Sequence, residues 1–146
     1  MTEEILTEDL LARLLAADSP QTYLDEKTTV DRTLVDYLRE LLDNKGIKRA
    51  DVVRASGLNP TVVYDIFAGK SKPGRDNAIM LAFGLSCTFR ETQRLLRLAG
   101  VSELWPKVRR DAIIAWCINQ ELSRIACDDE LWRFEEKTLL GTGSLK

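Results

Sequence analysis

Histidine is absent from the 146-residue chain, and that absence excludes more functions than any other feature. No Ser-His-Asp or Cys-His machinery can be assembled, and no zinc site of the common His-containing kinds. Cysteine is scarce: Cys87, Cys117 and Cys127 are odd in number and lie 30 and 10 residues apart. That spacing excludes a disulfide framework and a CxxC metal knuckle, so free thiols packed as small hydrophobes are expected. There is no glycine-rich phosphate loop and no nucleophile elbow. The chain is therefore expected to be no enzyme and to need neither cofactor nor metal. No apolar stretch approaches the ~20 residues of a membrane-spanning helix. The start, MTEEILTEDLL, is acidic where a signal peptide is basic. A cytoplasmic protein with no membrane association is the expectation.

Hydrophobic residues make up 45% and charged residues 30%, enough apolar matter for a real core in one domain with short appendages. The net charge of −2 conceals an asymmetry. Residues 1–44 carry 4 basic and 11 acidic side chains, whereas residues 45–76 carry 7 basic and 3 acidic. A basic middle inside an acidic chain is where a polyanionic partner would sit.

Helical periodicity dominates, and no run alternates with period two and β-branched enrichment, so the fold class is all-α, in about eight short helices. Leu10, Leu11, Leu14 and Leu15 form a stripe on a first helix over residues 8–17. Ser19-Pro20 opens a short second helix by N-cap and first-turn proline. Leu34, Tyr37, Leu38, Leu41 and Leu42 mark a helix over 31–44 that Gly46 stops. Short helices follow over 48–56 and 60–68, with Val52, Val53, Val63, Ile66 and Phe67 inward. After the cationic loop at 70–74 come helices over 75–83 and 88–99, the second begun by the capping box Thr88-Phe89-Arg90-Glu91. Helices over 107–120 and from Ser123 complete the series. Trp105, Trp116 and Trp132 read as core anchors. The acidic runs Asp128-Asp129-Glu130 and Glu135-Glu136 read as solvated helix faces. The expected organisation is an acidic N-terminal helical arm (1–30), a central domain (31–100), a C-terminal helical extension for packing or dimerisation (101–140) and a disordered tail (141–146).

The specific signal is the pair of short helices joined at Gly57, a helix-turn-helix pattern. Ile47-Lys48-Arg49, Val52-Val53, Gly57-Leu58-Asn59, Val63, Ile66, Gly69-Lys70 and Lys72-Pro73 stand at the spacing of the Cro/C1-type, or XRE, family, which this stretch resembles. The helices over 75–83 and 88–99 resemble that family's fourth and fifth. Arg110-Asp111-Ala112-Ile113-Ile114 looks similar to the C-terminal extension of small XRE-like proteins of Gram-positive bacteria. The resemblance implies a five-helix lambda-repressor-like core and a DNA-binding transcriptional regulator whose helix over 60–68 enters the major groove. Carried over by position, Asn59, Thr61, Tyr64 and Asp65 would read bases, and Lys48, Arg49, Lys70 and Lys72 would hold phosphates.

Two positions depart from the family's pattern. Pro60 stands where a polar reader is usual, and Asp65 puts a carboxylate where glutamine or arginine is commoner. They favour an alternative: a non-catalytic protein-interaction adaptor that keeps the scaffold without reading DNA. For the regulator, double-stranded DNA and a second copy of the chain are the expected partners. Some of Trp116, Ile113, Leu131, Trp132 and Phe134, with the leucine stripe, are the expected subunit interface. The sequence leaves the operator and any small-molecule effector open.

Overall fold

A computed structural model describes residues 7–25 and 33–140, and these hold nine α-helices and no strand. No helix among them is long and apolar enough to cross a membrane. The tail from 141 lies outside the described residues. The chain divides into two compact units, residues 1–31 and 32–146.

The first unit holds α1 (Thr7–Ala16) and α2 (Pro20–Asp25). The Ser19 hydroxyl accepts from the Thr22 N–H, the cap expected from Ser19-Pro20. The leucine stripe is present but open to solvent: Leu11, Leu14 and Leu15 are all exposed.

The second unit holds α3 (Leu34–Lys45), α4 (Arg49–Ser56), α5 (Pro60–Phe67), α6 (Arg75–Gly84), α7 (Phe89–Leu98), α8 (Arg109–Asn119) and α9 (Arg124–Arg133). Its centre is α6, on which every residue from Ala78 to Gly84 is buried. A helix apolar on all sides has to be covered on all sides, and α4, α7 and α9 all pack against it. Gly84 permits the α4 contact: a Cβ there would lie 3.0 Å from the Val52 carbonyl oxygen and from the Val52 and Ser56 side chains. Leu38, Val63, Phe67, Leu95, Ile114, Leu131 and Leu139 close one core around it. Residues beyond 100 thus share that core with α3–α7.

Local signals end most helices. Thr33, Asn59, Thr88 and Ser123 cap α3, α5, α7 and α9 through their side-chain oxygens, and Gly46 takes φ 64 after α3. The three cysteines are free and buried. Hydrogen bonding with Cys117 and burial push the Cys127 thiol up.

Two expectations fail. Trp105, Trp116 and Trp132 are not core anchors; they are 59%, 55% and 61% exposed. On α8, Ile114, Cys117 and Ile118 take the inward positions, and this turns Trp116 outward. Nor is Asp128 a solvated acid. It is buried, paired with Arg124 at 2.7 Å, and accepts the Leu139 N–H at 2.7 Å. That bond, with the Arg110 guanidinium donating to the Lys137 carbonyl at 2.8 Å, ties down the segment after α9.

Candidate nucleic-acid interface

Helices α4 and α5 are joined by Gly57, Leu58 and Asn59. Gly57 sits at φ 83, where an L side chain is strained. The buried Ser56 hydroxyl donates to the Val53 carbonyl and accepts the Leu58 N–H, which fixes the turn from inside. One more contact was not legible in the sequence. The Arg124 guanidinium of α9 lies against the turn, and a Cβ on Gly57 would meet its Nε and Nη2 at 2.9 Å. Arg124 is nine-tenths buried, pairs with Asp128, and leaves Nε without a hydrogen-bond partner.

Helix α5 buries Val63, Ile66 and Phe67 and turns its other face outward. Thr61 and Tyr64 are exposed on it, and Asp65 is half-buried. Asn59 is exposed, but its Oδ1 already accepts the Thr61 N–H at 2.8 Å, so its amide NH2 is what remains for a partner. Tyr64 is 41% exposed, with the Arg49 guanidinium 5.3 Å from its ring centroid. That cation–π contact joins the start of α4 to the outer face of α5. Beside it, Lys48, Arg49 and Tyr64 line a 440 Å³ hollow that also meets Asp43.

The basic residues of segment 45–76 divide into two groups. Lys45 pairs with Glu91 at 3.0 Å, Arg54 pairs with Asp51, and Arg75 pairs with Asp111 at 2.7 Å. Arg75 faces inward, also donating to the Ser102 and Glu103 carbonyls at 2.9 Å. Lys48, Arg49, Lys70 and Lys72 are exposed, and among the described residues they make no ion pair. Lys48 and Arg49 stand at the N-terminal end of α4, and Lys70 and Lys72 in the loop after α5. The eight residues singled out from the sequence thus share the α4–α5 hairpin and its flanks. No group of metal-ligating side chains occurs among the described residues.

No protein-family model, curated protein or solved structure matches the chain.

Proposed function

We propose that the protein is a DNA-binding transcriptional regulator, with α3–α7 as a lambda-repressor-like helix-turn-helix domain and α5 in the major groove. The observation that carries this reading is the separation of charge. The cations flanking the outer face of α5 make no ion pair among the described residues, while their neighbours Lys45, Arg54 and Arg75 are neutralised within the fold. Cations beside the outer face of α5, with Arg49 of the α4 start against Tyr64 and Lys70 and Lys72 just after its C-terminal end, fit a phosphate backbone bordering a groove. Thr61 and Tyr64 would then meet base edges, and Asp65 would accept from a cytosine amino group.

The regulator would act as a homodimer, since two-fold proteins match two-fold operators. The outer face of α8 and α9 fits a second copy. Ile113, Trp116 and Phe134 surround a 480 Å³ hollow there, and Trp132 is exposed on α9. A species sedimenting as a monomer at tens of micromolar would remove this part of the proposal.

A second reading, a protein-interaction adaptor on the same scaffold, is favoured by the chemistry of the reading face. Pro60 has no N–H, Asn59 spends its oxygen on the cap, and Asp65 sets a carboxylate toward a polyanion. A fluorescence-anisotropy titration against random-sequence duplex DNA at low and moderate salt separates the two. Binding that weakens with salt and disappears when Lys48, Arg49, Lys70 and Lys72 are all changed to alanine is the expected result. No binding at low salt, with or without residues 1–31, would overturn the regulator and leave the adaptor.

A further inference from the structure

The ends of α6 and α8 and the start of α7 line a surface cleft of about 410 Å³ whose polar side is exposed, within the ~300–1,000 Å³ range of small-ligand sites. It lies apart from the α5 face, and nothing in the proposed DNA contact uses it. Its apolar walls are Phe83, Phe89, Ile118 and Leu122. Its polar wall is Ser86, Thr88, Asn119 and Glu121.

Two features set the electrostatics of this cleft. First, both Ser86 (φ 52) and Glu121 (φ 60) are non-glycine residues in the left-handed region, and they stand where α6 and α8 stop. The C-terminal turns of two helices, the negative ends of their dipoles, therefore border one space, with the Ala82, Phe83, Cys117 and Ile118 carbonyls already accepting N–H groups of the turns. Second, Glu121 is the one ionised group of the lining and makes no ion pair among the described residues. A cation at its edge, Lys45, donates to the Ser86 carbonyl and is matched by Glu91 at 3.0 Å. The opposing positive end, that of α7, is covered by the Glu91 carboxylate, which accepts the Thr88 N–H at 2.9 Å. Cys87 adds no anion, because burial pushes its thiol up to about 12.

We infer that this cleft is a binding site for a small organic ammonium with an aromatic or aliphatic body. The cationic head would lie at Glu121 and the helix C-termini. The body would lie among Phe83, Phe89, Ile118 and Leu122, where the aromatic rings favour an adjacent cation as well as an apolar surface. The inference does not depend on DNA binding.

The test is an amide chemical-shift titration of the full chain with 2-phenylethylammonium, its neutral isostere 2-phenylethanol and the anion 3-phenylpropanoate. Saturable shifts centred on residues 86–89 and 118–122 are expected from the ammonium. Its affinity should exceed that of the alcohol by about tenfold or more, and the anion should not bind. Glu121→Gln should remove that preference. Glu121→Gly keeps the helix stop, relieves the left-handed strain and so should melt at higher temperature, yet it should lose the ammonium too. A merely structural Glu121 would leave binding intact in both variants, which would overturn the inference. So would equal affinity for ammonium and alcohol, shifts scattered over the surface, or no shifts at millimolar probe.

Discussion

At the scale of single residues, the turn between α4 and α5 offers the sharpest contrast. Gly46 and Gly57 both take positive φ, but a Cβ at Gly46 meets nothing within 4 Å, while one at Gly57 collides with Arg124. Gly46→Ala should therefore cost about 1 kcal/mol, the conformational term alone. Gly57→Ala should cost at least about 2 kcal/mol, because a buried, paired guanidinium has to move as well. Chemical denaturation of the two variants checks the ordering. Glu91 gives a second prediction. Partial burial pushes its carboxyl up, but hydrogen bonds from the Thr88 N–H and from Lys45 outweigh this and hold it below its ordinary 4.5. A carboxyl depressed in the folded state adds stability that is complete above its unfolded pKa and is lost as pH falls through the folded value. Glu91→Gln should flatten the acid side of the stability–pH curve below 4.5 and leave its slope near neutrality unchanged. An unaltered acid limb would show that the bonds around Glu91 do not discriminate its charged form.

At the scale of elements, partly buried ion pairs staple α6 to the segment beyond 100. Arg75 and Asp76, the first two residues of α6, pair with Asp111 and Arg110 of α8 at 2.7 and 3.0 Å. Asp111 is 4% exposed and also accepts the Trp105 N–H at 3.0 Å. Arg75→Met would leave that carboxylate buried with one backbone donor, and should cost about 3–5 kcal/mol. Adding Asp111→Leu should recover much of the loss but not the Trp105 hydrogen bond, a non-additivity that a double-mutant cycle reads directly. These pairs also mark where sequence reading stops. Helices were legible because their signals are local: Thr88 with Glu91, Asn59 with Pro60, Gly46 after the leucine stripe. The eight residues chosen for the interface came from one contiguous hairpin for the same reason. Arg75 and Asp111 are 36 residues apart, and no local pattern says that Arg75 turns inward rather than joining the basic face. Trp116 escaped for a related reason. Ile113, Ile114, Trp116, Cys117 and Ile118 run nearly around α8, so periodicity does not choose its inward side, and contact with α9 and α7 does. Gly57 was legible as a turn residue, but the guanidinium from α9 that needs its missing side chain was not.

At the scale of the whole molecule, charge distribution governs how a chain with net charge −2 approaches a polyanion. Residues 1–31 hold 8 acidic and 2 basic side chains, so residues 32–146 taken alone carry +4. The first unit is a compact body of its own, and its field acts on any encounter within a screening length, about 30 Å at 0.01 M salt and about 3 Å at 1 M. Deleting residues 1–31 leaves the unit that contains the entire α6-centred core. If DNA is the partner, the deletion should tighten binding to random duplex several-fold at about 0.01 M salt and make no difference near 1 M. Lys48→Ala and Lys72→Ala should each lower the slope of log affinity against log salt by about one, with or without the acidic unit. The lysines change the number of counterions displaced from phosphates at the contact, whereas the acidic unit acts through the long-range field, so combining the lysine changes with the deletion should separate the two effects in one set of titrations. A deletion that instead weakened binding at every salt concentration would assign the N-terminal unit a direct contact with DNA. The leucine face of α1 and its acidic flank would then have to be explained as part of the complex rather than as a brake on it.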